Sequence, residues 1–180
     1  SRVAIFDSGF FCILLRLLKN IKVKKNSGYL ILKKFLNHKP LKNKKIFLVD
    51  PNNVDSVLNK KYLIKKNFLN TNSYVAPKYK FIIKVQKLLR EINFYKPHYI
   101  IINIGGETQE ILALYLKNNL KFKTSILCTG AAIAFLTKRQ APINDVVDRF
   151  YLGWFVRLIY NPKIYFPRVL KSLRLIKLFF

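Results

Sequence analysis

Few side chains in this sequence can do acid–base chemistry, because 34 lysines and arginines stand against 8 aspartates and glutamates. Asp7 is one of the eight. It follows residues 2–6, which have the pattern of a strand, and precedes Ser8-Gly9. A carboxylate at a strand's carboxyl end can act as a general base; it can equally cap the helix expected at residues 10–18. Lys22, Lys24 and Lys25 lie in the basic connector that comes next, and can hold a phosphate or stay solvated. Further on, Gly105, Gly106 and Gln109 follow the apolar run 99–104, and Gly130 follows the run 124–128. If both runs are strands of one parallel sheet, these four residues lie along its carboxyl rim, where such sheets bind ligands.

The elements that must hold them can be read from periodicity. Residues 99–104 are rich in β-branched side chains between Pro97 and Gly105-Gly106, the signature of a buried strand ending in a tight turn. Thr108 can cap the helix after it, on which Ile111, Leu112, Tyr115 and Leu116 recur at helical spacing until Asn118-Asn119. Residues 124–128 and Thr129-Gly130 repeat the strand and the turn. Upstream, Ser27-Gly28 open a helix with Leu30, Ile31, Phe35 and Leu36 on one face, and residues 45–49 form a strand ending at Asp50-Pro51. Residues 54–67 read as a basic helix, 73–75 as a short strand, 80–94 as a helix burying Ile83, Val85, Leu88, Leu89 and Ile92, and 144–150 as a short helix. Strands alternating with helices predict an α/β fold, a Rossmann-like, mostly parallel sheet with helices on both faces. The turn after residues 45–49 carries no glycine-rich phosphate fingerprint, which argues against a dinucleotide cofactor.

Length and composition bound the rest. A chain of 180 residues, just over half of them apolar, is long enough to bury a core without disulfides or metal. Residues 1–150 read as the Rossmann-like domain. Residues 151–180 differ, interleaving Trp154, Phe155, Tyr160, Tyr165, Phe166, Phe179 and Phe180 with Arg157, Lys163, Arg168, Lys171, Arg174 and Lys177. That pattern suits an amphipathic, helical appendage lying on an anionic membrane surface, or a terminal helix packed on the domain. No run of about 18 apolar residues occurs, so no spanning helix is expected. The formal charge of +26 calls for a polyanionic partner, a membrane surface or a compositional bias of AT-rich coding. Aromatics such as Tyr95, Tyr99 and Trp154 raise nucleic acid as one such partner, but none of the usual recognition motifs is present, and nucleic acid is not expected. Cys12 and Cys128 sit in apolar surroundings and read as reduced core thiols; His38 and His98 stand apart from other ligand types, so no metal site is expected. The chain opens at Ser1 without Met and enters a strand at once, which suggests that an amino-terminal portion is missing.

Several short motifs occur in an order that carries more than any one of them. Asp7-Ser8-Gly9 resembles an Asp-Gly pair between a strand and a buried helix. Asn103-Ile104-Gly105-Gly106-Glu107-Thr108-Gln109-Glu110 resembles a Gly-Leu-Gly-x-Pro-x-Gln-Glu segment, and Thr129-Gly130-Ala131-Ala132-Ile133-Ala134-Phe135-Leu136 a Gly-Gly-Ala-Phe-x-Phe-Leu segment. Gln140-Ala141-Pro142 is similar to Arg-Ala-Pro. Arg149-Phe150-Tyr151-Leu152-Gly153-Trp154-Phe155-Val156-Arg157-Leu158, with Pro162 beyond, is similar to Arg-x-Gly-Leu-Glu-Trp-x-x-Arg-Leu. Over nearly its whole length the chain thus resembles the WecG/TagA/CpsF family of bacterial glycosyltransferases. It departs from that pattern where Lys24-Lys25 replace a Glu-Arg pair, where Asp50-Pro51 replace glycines, and where Gly153 replaces the Glu before Trp154.

The resemblance implies an inverting, metal-independent hexosyl transfer of an N-acetylmannosamine-type sugar. The donor would be a UDP-sugar and the acceptor an undecaprenyl-pyrophosphate-linked N-acetylglucosamine, in the synthesis of cell-surface polysaccharide or teichoic acid. It needs no cofactor besides that donor. Asp7 would take the acceptor proton, and Gln109 would bind sugar or acceptor hydroxyls. Gly105, Gly106 and Gly130 would admit backbone amides to the nucleotide phosphates, Lys25 would supply a cation to the substrate, and Arg149 and Arg157 would neutralise pyrophosphate. The enzyme would be cytoplasmic and peripheral on the inner face of the plasma membrane, with homo-oligomer formation left open. A membrane-surface scaffold of the same fold without chemistry is the alternative, and a basic nucleic-acid-binding module the next.

Overall fold

The computed structural model describes residues 7–23, 26–79, 85–140, 147, 150 and 152–174. The chain divides into two compact units, Leu32–Arg139, and Ser1–Ile31 with Gln140–Phe180.

The unit Leu32–Arg139 is built on a parallel sheet of four strands, β1 (Ile46–Asp50), β2 (Thr71–Val75), β3 (Tyr99–Ile102) and β4 (Ser125–Cys128), in the order β2-β1-β3-β4. Ile46 at the start of β1 is in register with Thr71 on one side and Tyr99 on the other, and Tyr99 with Ser125. Alternation along the strands sends Phe47, Val49, Ile100 and Ile102 to one face. There they pack with Leu88 and Ile92 of α4 (Gln86–Tyr95) and Leu112 and Leu116 of α5 (Thr108–Asn119). Ile46, Leu48 and Ile101 point to the other face, against Leu32 and Leu36 of α2 (Gly28–Asn37), Leu63 of α3 (Asn53–Lys65), and Ala132 and Ile133 of α6 (Ala132–Leu136). Because both faces are covered, the central strands read as unbroken apolar runs rather than alternating ones. This is the α/β architecture that the sequence predicts, with helices on both faces of a parallel sheet.

Several boundaries and faces differ from the sequence reading. β3 stops at Ile102 rather than at 104; Asn103 still bonds β1, its N donating to Val49 O at 2.9 Å and its side chain to Asp50, and the backbone then leaves the sheet. β2 begins at Thr71, two residues before the predicted 73, anchored where the Thr71 hydroxyl donates to Phe68 O. On α2 the buried stripe is Leu32 and Leu36, while Ile31, placed inside by the sequence reading, is exposed. On α5 it is Gln109, Leu112 and Leu116, and Ile111 is exposed. Both helices carry apolar residues around more than one face, so spacing alone could not select the side that meets the sheet. α4 starts at Gln86 with Val85 before it in non-helical backbone, and residues 80–84 lie outside the described residues, as do the strand predicted at 2–6 and most of the helix predicted at 144–150. Cys12 and Cys128 are both free thiols, but only Cys12 is buried; Cys128 is exposed, because among the described residues β4 pairs on one side only.

The other unit contains α1 (Gly9–Lys19), α7 (Gly153–Tyr160) and α8 (Pro162–Ser172). Phe10 and Trp154 meet edge to face, their ring centres 5.7 Å apart, which joins the start of α1 to α7. α8 buries none of its residues. Among the described residues no helix is long and apolar enough to cross a membrane.

Candidate active site

The strand order places a topological switch point between β1 and β3, since the chain leaves β1 toward β2 and returns on the opposite side as β3. Parallel sheets bind ligands in the crevice at the carboxyl ends of such strands. Here those ends carry a connected polar chain. Asn103, just past β3, donates Nδ2–H to Asp50 Oδ1 at 2.8 Å, and Asn59 of α3 donates to the same oxygen at 2.7 Å. The Thr129 hydroxyl, just past β4, donates to Asn103 Oδ1 at 3.2 Å. The chain therefore runs along three strand ends from α3 to the turn after β4.

Asp50 is fully buried, and its Oδ2 has no hydrogen-bond partner among the described residues. Burial pushes its carboxyl pKa up, against the opposing pull of Asn103, Asn59 and Ser56, and the nearby Asp55 carboxylate adds to the rise. Asp55 is itself held by Arg139, Nε to Oδ1 at 3.0 Å. The sequence reading passed over Asp50 as a turn residue. The signal was there, because Asp50 is the single acid between Asp7 and Asp55 and it ends the run Ile46–Val49 in a chain with only eight acids.

Beyond β3 the backbone opens into an exposed loop. A side-chain carbon added at Gly105 or Gly106 would meet nothing within 4 Å. Glu107 adopts φ +66°, a conformation that costs a non-glycine residue about 1–3 kcal/mol and that gathers at functional loops. Thr108, expected to cap α5, is instead its first helical residue, and the helix has no side-chain cap. At the amino end of α5, Gln109 N bonds Gly105 O at 3.2 Å, and other first-turn N–H groups, which a helix leaves without an internal partner, can receive anionic oxygens.

Gln109 latches this loop to the next turn. Its Oε1 accepts from Gly130 N at 2.9 Å, and its Nε2 donates to Glu110 Oε1 at 2.8 Å. Gly130 N also bonds Ile102 O at 3.2 Å, so the Gly130 amide is directed inward, and its φ of +53° is the reason a glycine stands there. A primary amide offers two N–H donors and two carbonyl lone pairs. One donor and one lone pair of the Gln109 side chain are not used by these two bonds.

In the unit Ser1–Ile31 with Gln140–Phe180, Ser8 is the residue that caps α1, its Oγ accepting from Phe11 N at 3.2 Å. Asp7, for which the capping of that helix was the competing reading, instead reaches the first residue of α2, where Oδ1 accepts from Gly28 N at 3.1 Å. It remains exposed. Arg157 is half-buried on α7. Lys25 and Arg149 lie outside the described residues. Of the residues singled out from sequence, Gly105, Gly106, Gln109 and Gly130 come together on the carboxyl rim of the sheet, whereas Asp7 and Arg157 belong to the other unit. Among the described residues no three His, Cys, Asp or Glu side chains gather as metal ligands do.

An α/β sheet with a loop suited to anions at its carboxyl rim fits a transferase of activated sugars. The family model described as the glycosyl transferase WecG/TagA/CpsF family matches residues 1–180, and the chain belongs to that family. No curated protein matches the chain.

Proposed function

We propose that this protein transfers an N-acetylmannosamine-type sugar, with inversion and without a metal or other cofactor, from a UDP-sugar to an undecaprenyl-pyrophosphate-linked N-acetylglucosamine that feeds a cell-surface polymer. The observation that carries the reading is the family match along the entire chain. Asp7 takes the proton of the attacking hydroxyl as the new glycosidic bond forms, and UDP departs with the electrons of the old one. The loop Gly105–Gly106 and the amino end of α5 supply oriented N–H groups for the departing diphosphate, and Gln109 uses its remaining donor and lone pair on sugar hydroxyls. Lys25, Arg149 and Arg157 add cations where charge accumulates.

Work at the inner face of the plasma membrane is supported by α7 and α8. They leave Phe155, Ile159, Ile164, Phe166 and Leu170 exposed beside Lys163, Arg168 and Lys171. The test is release of UDP from UDP-N-acetylmannosamine in the presence of a lipid-pyrophosphate N-acetylglucosamine acceptor, with and without a chelator. Turnover that persists in the chelator is the expected result. Absence of turnover together with absence of UDP binding in calorimetry overturns the reading in favour of a scaffold without chemistry.

A further inference from the structure

The carboxyl-terminal turn of α1 is built unlike the rest of that helix. Gly9, Cys12 and Leu14 are buried, but Leu17 is 74% exposed, and Leu18 is exposed too. Asn20 closes the helix in the left-handed conformation, and Ile21 N returns to Leu15 O at 3.1 Å, which turns Ile21 out at 49% exposure. Arg16, Lys19 and Lys22 lie among these apolar residues and are exposed as well. No acid occurs between Ser8 and Val49.

Beside this tip lies a cavity of about 280 Å³ lined by Cys12, Ile13, Arg16, Lys22 and Val23. Its lining combines the apolar side chains of Ile13 and Val23 and the Cys12 thiol with two cations, Arg16 and Lys22. Cavities that hold whole drug-sized ligands run from about 300 to 1,000 Å³, so this one is too small for a nucleotide-sugar and suits a phosphate with the few carbons attached to it. A second copy of the chain is a poor occupant, because the tip carries only positive charge and each copy carries +26.

We propose that the tip of α1 is a second membrane contact, separate from α7 and α8, in which Arg16 and Lys22 hold the phosphate of an anionic bilayer lipid while Leu17 and Ile21 enter among the chains. The apolar lining from Cys12, Ile13 and Val23 receives the carbons next to that phosphate. The inference rests on the membrane-surface part of the function proposed above. Two contacts restrict orientation on the surface more than one short amphipathic segment does, because only rotation about the line joining them is left.

The experiment is co-sedimentation of the full chain with vesicles of phosphatidylglycerol and phosphatidylcholine, and with phosphatidylcholine alone, at constant salt. Three variants are compared: Arg16→Gln with Lys22→Gln, Leu17→Ser with Ile21→Ser, and Arg168→Gln with Lys171→Gln on α8. All six positions are exposed, and thermal melts report that the fold is kept. Each cation at an anionic surface contributes about fivefold in binding, so the Arg16/Lys22 variant is expected to lose about 30-fold on anionic vesicles only. The Leu17/Ile21 variant is expected to lose about tenfold. If both α1 variants bind as the wild type does while the α8 variant loses binding, this inference fails and the membrane reading stands. If the wild type itself ignores anionic vesicles, both fail together.

Discussion

Asn103 donates its side-chain N–H to Asp50 Oδ1 at 2.8 Å, and so joins the carboxyl ends of β3 and β1 where the strand order reverses. The pair has no cation in it. A buried carboxylate held by two amides and a hydroxyl, with no cation beside it, is tolerated best when it carries a proton, because desolvation then falls on a neutral group. Through Asn103 the buried carboxyl is linked in turn to the Thr129 hydroxyl just past β4.

The first prediction concerns this pair. The Asp50 pKa is raised in the folded chain above its ordinary value of 3.8, so folding takes up a proton as pH rises past that value. The stability this provides is complete below 3.8 and is lost as pH climbs through the folded pKa. Asp50→Asn keeps an oxygen for Asn59 and Asn103 and cannot ionise. The unfolding free energy of the variant relative to wild type, from urea denaturation, should rise as pH increases from 4, by about 1.4 kcal/mol for each unit by which the native pKa is raised. A difference that stays flat between pH 4 and 8 would refute a raised pKa at Asp50.

Asp7 offers a separation of catalysis from structure. Its Oδ1 accepts from Gly28 N, and Asn at position 7 retains an oxygen able to do the same. Asp7→Asn should therefore melt close to wild type while UDP release falls about a hundredfold or more, as removal of a general base does. Asp7→Ala removes both roles and should also lower the melting temperature, with a stability loss of about 1 kcal/mol. Retained turnover in Asp7→Asn would leave Asp7 as nothing more than an acceptor for α2.

Gln109 and Gly130 should divide differently. Gly130 sits at φ +53°, so Gly130→Ala strains the backbone by about 1–2 kcal/mol whatever space surrounds it. Gln109→Leu leaves Gly130 N its bond to Ile102 O and costs less in stability, but it removes the donor and lone pair that the proposed function assigns to a sugar hydroxyl. KM for the sugar donor should rise about tenfold in Gln109→Leu, and the melting temperature should drop more in Gly130→Ala. A fall in melting temperature without a change in KM for Gln109→Leu would make the latch purely structural.

The sheet could be read from the sequence because Ile46–Val49 and Tyr99–Ile102 are apolar at every position, and only strands covered on both faces need that. Ile31 shares its predicted face with Leu36, and Ile111 its helical spacing with Leu112, yet both are exposed, because α2 and α5 have apolar residues on several sides and the choice among them is made by which side meets the sheet. The glycine loop and Gln109 were found through local motifs. Two contacts at a distance were not. Asp7 and Ser8 can both cap a helix, and only tertiary structure gives α1 to Ser8 and Gly28 to Asp7. Asp50 looked like a turn residue until Asn59, nine positions on, and Asn103, 53 positions on, closed over the same oxygen.

The last prediction tests how the unit Leu32–Arg139 is held at the end of the sheet opposite the rim. Lys42 Nζ donates to Leu36 O at 2.6 Å and to Lys66 O at 2.6 Å, and it lies 4.0 Å from the centre of the Phe68 ring. One ammonium thus satisfies carbonyls at the carboxyl ends of α2 and α3, where helix dipoles favour positive charge. Burial and the neighbouring Lys66 both pull the Lys42 pKa down, while these acceptors favour its charged form. Lys42→Met keeps the aliphatic stem against Phe68 and removes the donors. The loss should be about 1–3 kcal/mol in urea denaturation, the range for hydrogen bonds from a charged group. Lys42→Arg should recover only part of it, because the longer, planar guanidinium aims its donors differently from an ammonium seated between the two carbonyls. Amide exchange should quicken at the ends of α2 and α3 in both variants; unchanged exchange there would place the role of Lys42 elsewhere.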